Sequence, residues 1–170
     1  MMRDPHLIPV FNARSLAWLI VAVLLSMVVS AGGSLLTAPA LQSWYITLKK
    51  PFFTPPNVVF PLVWTFLYAL MALCFWRILR ARPEAGPKGR AIALFLVQMA
   101  LNLGWSWAFF HMRSPSLGLV AIGMLFVAIV LTIRAFSAID KPAGYALYPY
   151  LAWVGFAAIL NGAIAIANPG

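Results

Sequence analysis

Charged residues are scarce in this 170-residue sequence, at 9% of the chain, and only three of them are acidic. A water-soluble domain carries about a quarter charged residues, so this chain lacks the polar shell that a core of its length needs in water. Hydrophobic residues reach 64% and the mean hydropathy is +0.93. The composition excludes an ordinary soluble domain and indicates that lipid surrounds the folded chain.

Metal ligands and catalytic residue sets are lacking as well. Cys74 is the only cysteine, which excludes an internal disulfide framework and any multi-cysteine zinc or iron–sulfur site. His6 and His111 fall near opposite membrane faces in the topology derived below, which argues against paired axial ligation of a haem. The sequence has no Gly-rich phosphate loop and no nearby Ser, His and carboxylate. We therefore predict no metal site, no required cofactor and no conventional hydrolase.

Long uncharged runs are abundant. Five of them separate the charged residues, at 15–48, 51–76, 91–112, 114–133 and 142–170. Each is long enough for a helix to cross the hydrocarbon core, which takes about 20 residues. Trimming the Pro- and Gly-rich ends places spans near 16–36, 58–79, 91–110, 117–136 and 144–166. The sequence predicts an all-α integral membrane protein, a single domain over 1–170 that folds as a five-transmembrane-helix bundle.

The first run has an alternative interpretation. Val29-Ser30-Ala31 imitates a signal-peptide cleavage site, and cleavage there would leave four helices. The apolar run continues to Leu35 and Leu36, which favours a retained span.

Basic residues outnumber acidic ones and give a net charge of +9, but they punctuate apolar runs, so we predict no nucleic-acid partner. Nine of the 12 Lys and Arg residues fall on one side of the five spans, which predicts a cytoplasmic N-terminus and an outside C-terminus. They are Arg3, Arg14, Arg77, Arg80, Arg82, Lys88, Arg90, Arg134 and Lys141. The short loops and the lack of an obvious transit segment favour a bacterial cell envelope over a mitochondrial outer membrane.

The segment 38–57 is predicted to be a structured outer loop. It reads APALQSWYITLKKPFFTPPN, with four prolines and several aromatics. Proline restricts the backbone, and the aromatic side chains suit an interface or a lid. Lys49 and Lys50 are expected either to snorkel to lipid headgroups or to meet carboxylates of a ligand at the rim.

Three predicted spans carry aromatic and amide residues on one helical face. These residues are Phe60, Trp64, Tyr68 and Met71 in the second span, Gln98, Asn102 and Trp105 in the third, and Tyr150, Trp153, Ala157 and Asn161 in the fifth. A pocket of indoles and phenols with sparse amides suits a large, flat, mostly apolar ligand. Alternatively, the amides only bond neighbouring helices and the aromatics form an interfacial belt. The fourth span has almost nothing polar and is expected to be scaffold that faces lipid.

Small residues recur along the third span at Ala100, Gly104 and Ala108. Such a ladder lets helices approach closely. It predicts a helix contact, either with a second subunit or within one subunit.

Four ordered motifs together resemble a known family. WYITLKKPFFTPP and VFPLVWTFLYALM resemble the outer loop and second helix of the translocator protein family, also called TspO/MBR, tryptophan-rich sensory proteins or peripheral benzodiazepine receptors. QMALNLGWSWAFF resembles its third helix and YPYLAWVGFAAILN its fifth. The resemblance covers roughly 34–161.

The resemblance implies a five-helix bundle, usually a homodimer, that binds porphyrins such as protoporphyrin IX and in some members haem, sterols or synthetic drugs. It implies three possible roles: a tetrapyrrole translocator or sensor, a light- and oxygen-driven porphyrin-degrading enzyme, or a regulatory membrane scaffold. Trp64 and Trp153 match tryptophans implicated in ligand binding and in that degradation. Other pocket-lining positions of the family match Tyr45, Asn102, Trp105 and Ala157.

The chain departs from the family pattern at two places. Phe53 stands where the family commonly has Trp, and the sequence after Asn161, GAIAIANPG, lacks the sterol-recognition pattern of animal members. The sequence thus favours a porphyrin-type ligand, with sterol binding less supported.

Overall fold

A computed structural model describes Leu7, Pro9 and residues 12–169 of the chain. Arg3 and His6, which entered the charge count and the haem argument, lie outside the described residues. The helices are α1 (Ala13–Leu41), α2 (Val59–Arg80), α3 (Lys88–Ser106), α4 (Pro115–Ile139), α5 (Lys141–Tyr145) and α6 (Tyr148–Ala167). Shorter turns lie at Tyr45–Thr47, Pro83–Ala85 and, as a π-helical continuation of α3, Trp107–His111.

Five helical segments of the described chain are long and apolar enough to cross a membrane: α1, α2, α3 with its π-turn, α4, and α5 with α6. The predicted all-helical architecture with five such segments is confirmed. The side of the membrane on which each terminus lies stays a prediction. α1 runs without a break through Val29-Ser30-Ala31.

Helix α1 continues further than the sequence suggested, through Pro39 to Leu41. The first four residues of the predicted outer loop are therefore helical. Proline removes only one backbone donor in this last turn, and the hydroxyl of Ser43 donates to the Pro39 carbonyl at 2.8 Å. Ala40 is buried, so packing holds this turn in place.

Helix α4 packs against α3, α5 and α6 with one face and exposes the other. The buried face holds ten residues, among them Leu125, Ile129 and Phe136. The other face exposes apolar side chains such as Val120 and Val127, as expected of a scaffold helix that faces lipid. Helices in lipid associate through close packing rather than through polarity. The absence of polar residues therefore does not show which face of the helix is buried.

The two ends of the bundle differ in packing. At the end that holds the C-terminus of α2 and the N-terminus of α3, Phe75 stacks on Phe95 with 4.2 Å between ring centroids, and Phe95 lies 5.7 Å from Phe136. Arg77 pairs there with Asp140, with Nε to Oδ2 at 2.5 Å and Nη2 to Oδ1 at 3.0 Å. This end is solid, and the opposite end, beneath the loop between α1 and α2, contains a cavity.

Candidate functional site

A cavity of about 340 Å³ opens between the helices under the outer loop. This volume falls in the range of small-molecule sites, about 300–1,000 Å³. Seven of the predicted site residues lie in its wall: Tyr45, Trp64, Tyr68, Asn102, Trp105, Ala157 and Asn161. The predicted faces of α2, α3 and α6 thus converge on one space.

The aromatic part of the wall is continuous. The indole of Trp64 stacks on that of Trp105, with centroids 6.2 Å apart and planes 29° from parallel. Tyr68 follows on one side, 5.6 Å from Trp64. On the other side, Phe109 and Phe110 lie 6.0 Å and 5.9 Å from Trp105. The cavity therefore presents several ring faces to whatever occupies it.

Asn102, which also lies in the cavity wall, hydrogen-bonds side chains of two neighbouring helices. Its Oδ1 accepts from the Tyr68 hydroxyl at 2.8 Å, and its Nδ2 donates to the Tyr150 hydroxyl at 3.1 Å. Tyr150 is fully buried and lies behind Asn102 rather than in the wall. The amide of Asn102 thus bonds α2 to α3 and α3 to α6.

Asn161 of α6 likewise hydrogen-bonds two neighbouring helices, α3 and α4. Trp105 Nε1 donates to Asn161 Oδ1 at 3.2 Å, and Asn161 Nδ2 donates to the Pro115 carbonyl at 2.7 Å. Gly118 allows this close approach, since an added Cβ would lie 2.8 Å from both Asn161 Oδ1 and Phe109 Cδ2. The two amides that α3 and α6 contribute to the wall are therefore bonded within the protein, as the alternative interpretation of the amides expected, whereas the rings of Trp64, Tyr68 and Trp105 line the cavity.

Three predicted site residues lie away from the cavity wall. Gln98 is buried deeper in the bundle, where Nε2 contacts Met71 Sδ at 3.8 Å. Trp153 packs between Phe60 and Phe156, with centroids 5.8 Å and 5.6 Å away. Its Nε1 is buried and has no hydrogen-bond partner among the residues that the structure describes. Tyr150, described above, is the third.

Helix α1 contributes wall residues that the sequence reasoning missed, including Ser30, Ser34 and Thr37. Their spacing of four and then three puts them on one helical face. This spacing could have identified the face of α1 that lines the cavity. It is not specific, because short hydroxyl side chains are also common at plain helix contacts.

The π-helical turn Trp107–His111 supplies two further wall residues that were not predicted, Phe109 and Phe110. A π-turn rotates the residues after it relative to a regular α-helix. Phe109 lies 11 residues after Gln98 and continues the stripe of Gln98, Asn102 and Trp105, so helical periodicity extended by one turn would have found it. Phe110 lies about 100° further round a regular helix and falls off that stripe.

The loop between α1 and α2 covers the cavity. Tyr45 is buried, with its ring 6.3 Å from that of Phe109 and 5.8 Å from that of Phe110. Burial raises the pKa of the Tyr45 phenol, so this group stays neutral at physiological pH. Lys50 Nζ lies 4.2 Å from the centroid of the Tyr45 ring, a cation–π contact that neither expectation for this lysine included.

A side chain at the end of α6 fastens this loop. Asn168 Oδ1 accepts from the backbone N–H of Lys49 at 2.9 Å, and its Nδ2 donates to the Lys49 carbonyl at 3.0 Å. The same Nδ2 donates to the Ile164 carbonyl at 2.8 Å, which holds the amide in place. We call this arrangement the Asn168 clasp.

Comparison with known proteins assigns the chain to a family. The TspO/MBR family model matches residues 15–167. The chain is 42% identical over 145 residues to the tryptophan-rich protein TspO of Chlorobaculum tepidum, covering 85% of this chain and 92% of that protein. It is 35% identical over 142 residues to the tryptophan-rich sensory protein of Cereibacter sphaeroides, covering 82% and 87%. It is 34% identical over 121 residues to the translocator protein of Homo sapiens, covering 69% and 70%. The chain therefore belongs to the TspO/MBR family, and its five apolar helices make it a multi-pass integral membrane protein.

Proposed function

We propose that the cavity binds a tetrapyrrole, such as protoporphyrin IX or haem, and that the protein takes part in the transport or sensing of that ligand. The observation that carries the proposal is the continuous aromatic wall of Trp64, Tyr68 and Trp105 beside amides that are already bonded within the protein. A flat, mostly apolar macrocycle gains from stacking on such a wall and loses little from the scarcity of free polar groups. The names of the relatives, a sensory protein and a translocator protein, fit this role.

Titration of the purified protein with protoporphyrin IX, followed by quenching of tryptophan fluorescence, tests the proposal. Trp64→Leu removes a stacking face and is expected to weaken binding about ten-fold, as a loss of roughly 1.4 kcal/mol of ring contact gives. Trp107→Leu is the matched control, because this indole is exposed and lies outside the cavity wall. Its affinity should stay within about two-fold of the wild type. Equal losses in both variants, or no saturable quenching in the wild type, would contradict the proposal.

A second candidate function is light- and oxygen-driven breakdown of the bound porphyrin. Of the two tryptophans that the resemblance implicates, Trp64 lies in the cavity wall and Trp153 lies behind Phe60. A group that exchanges electrons with the ligand directly must contact it, which favours Trp64. Under illumination, Trp64→Phe should lower the yield of a new absorbing product while Trp153→Phe leaves it intact. The opposite result would return the role to Trp153.

We propose that the covered cavity faces the outside of a bacterial cell envelope. The charge distribution supports this orientation, because nine of the 12 Lys and Arg residues belong to the other side. Relatives from Chlorobaculum tepidum and Cereibacter sphaeroides support the location. A cysteine introduced at Ser43 should react with a membrane-impermeant maleimide in intact cells. Labelling only after lysis would reverse the orientation.

We further propose a homodimer formed through α3. Ala100 is exposed in the protomer, and a Cβ added at Gly104 would meet nothing within 4 Å. Ala108, which the sequence placed on the same ladder, is buried inside the protomer because it lies in the π-turn. Gly104→Leu is expected to convert the dimer to a monomer in light scattering of detergent-solubilised protein. An unchanged mass would exclude this face.

A further inference from the structure

A second hollow lies between α1 and α2, on the far side of Tyr68 from the cavity. It has a volume of about 550 Å³ and is lined mainly by short side chains, including those of Ala31 on α1 and Ala69 on α2. Ser30 and Tyr68 line both this groove and the cavity. The groove borders on exposed apolar side chains of both helices, among them Met27 and Leu73. It therefore connects the lipid-facing surface with the back of the cavity wall.

The partition between the two hollows is thin. The Tyr68 side chain lines both hollows and forms part of this partition, and its hydroxyl would lie 3.9 Å from a Cβ added at Gly33 of α1. The hydrogen bond to Asn102 Oδ1, at 2.8 Å, and the ring contact with Trp64 hold this side chain. Rotation of this phenol ring would break both interactions and remove a side chain that stands between the groove and the cavity.

The groove also contains a polar atom that packing alone does not account for. Ser26 lines it, is only 3% exposed, and its Oγ has no hydrogen-bond partner among the residues that the structure describes. No water is available in the hydrocarbon core to satisfy such a hydroxyl. A flat apolar ligand that carries polar atoms can form a hydrogen bond with the Ser26 hydroxyl as it moves through the groove.

We propose that this groove is a lateral portal, through which the apolar planar ligand moves between the bilayer and the cavity, with Tyr68 as the moving wall. The inference rests on the function proposed above. A ligand of this chemistry partitions into lipid, so its local concentration is highest where the groove opens. On the outer side, the cavity lies under the loop that the Asn168 clasp fastens. The route past Tyr68 requires one side chain to turn, whereas the outer route requires a whole loop to detach.

Filling the groove tests the portal without touching the cavity. Ala69→Phe and Ala31→Phe place a bulky ring in it from opposite walls, and Ala152→Phe puts the same ring on an exposed position of α6 that lines neither hollow. Protoporphyrin IX is delivered from phosphatidylcholine vesicles to protein in nanodiscs, and fluorescence quenching is followed by stopped flow. An obstacle on the path raises the activation barrier for entry and exit but leaves the free energies of the free and bound states unchanged. Association and dissociation rate constants should therefore both fall about ten-fold with Kd unchanged, and Ala152→Phe should match the wild type.

Rate constants within about two-fold of the wild type in both groove variants would overturn the portal while leaving the binding function intact. A raised Kd with an unchanged association rate would overturn it too, because the groove would then act on the bound state. If one groove variant fails to fold, the other carries the test from the opposite helix. A wild-type protein that binds no porphyrin overturns the proposed function and the portal together.

Discussion

At the scale of single residues, Asn102 and Gln98 show how differently two amides of one helical stripe can be used. Both are buried on α3, four residues apart. Asn102 hydrogen-bonds two phenols of neighbouring helices. Among the described residues, the Gln98 amide nitrogen bonds the Met71 sulfur and its Oε1 has no hydrogen-bond partner. A buried polar group stabilises a fold only when its hydrogen bonds are made.

Asn102→Leu is expected to destabilise the protein by about 1–3 kcal/mol, because it leaves the buried Tyr150 hydroxyl and the half-buried Tyr68 hydroxyl without their partner. Gln98→Leu should be neutral or slightly stabilising, since it removes an amide whose oxygen is unsatisfied. Unfolding in a mixed-micelle SDS titration measures both. A larger loss for Gln98→Leu than for Asn102→Leu would show that the hydrogen-bond assignment is wrong.

At the scale of helices, the start of α4 supports two residues of the cavity wall, Phe109 and Asn161. Gly118 lets α4 approach the π-turn and α6 closely enough for Asn161 to bond the Pro115 carbonyl at the start of α4. One turn and a half later, Gly123 is exposed, and a Cβ there would meet nothing within 4 Å. The packing of α4 therefore requires a glycine at position 118, whereas position 123 has room for a side chain.

Gly118→Ala is expected to cost about 1–3 kcal/mol, because the added methyl group overpacks against Phe109 and Asn161. It should also weaken porphyrin binding, since Asn161 positions the Trp105 indole. Gly123→Ala should instead stabilise the helix by about 0.5–1 kcal/mol. Thermal unfolding and the fluorescence titration measure the two effects. Equal stabilities of the two variants would contradict the close approach at Gly118.

At the scale of the whole molecule, the five segments were predictable because the cost of burying charge in lipid confines charged residues to the ends of helices. The faces of Trp64, Asn102 and Trp105 were predictable because helical periodicity aligns them. Trp153 shows the limit of that reasoning: periodicity assigns a face to a residue but does not say whether a cavity or another helix covers it.

Two other features were not accessible from the sequence for physical reasons. The π-turn is a change of backbone hydrogen bonding, and its residues Trp107–His111 carry no side-chain pattern that distinguishes it from α-helix. The buried face of α4 packs apolar side chains against apolar neighbours, and its lipid-facing side has the same composition.

The Asn168 clasp has a consequence for how the protein is made. The loop that covers the aromatic wall follows the first helix, yet the side chain that secures it lies 119 residues further along the chain. Helices enter the membrane in the order in which the ribosome produces them. The loop between α1 and α2 therefore cannot form its hydrogen bonds with Asn168 until the end of α6 has been made. A nascent chain stalled just before that turn would contain every tryptophan of the protein, but the loop over its cavity would not yet be held in place.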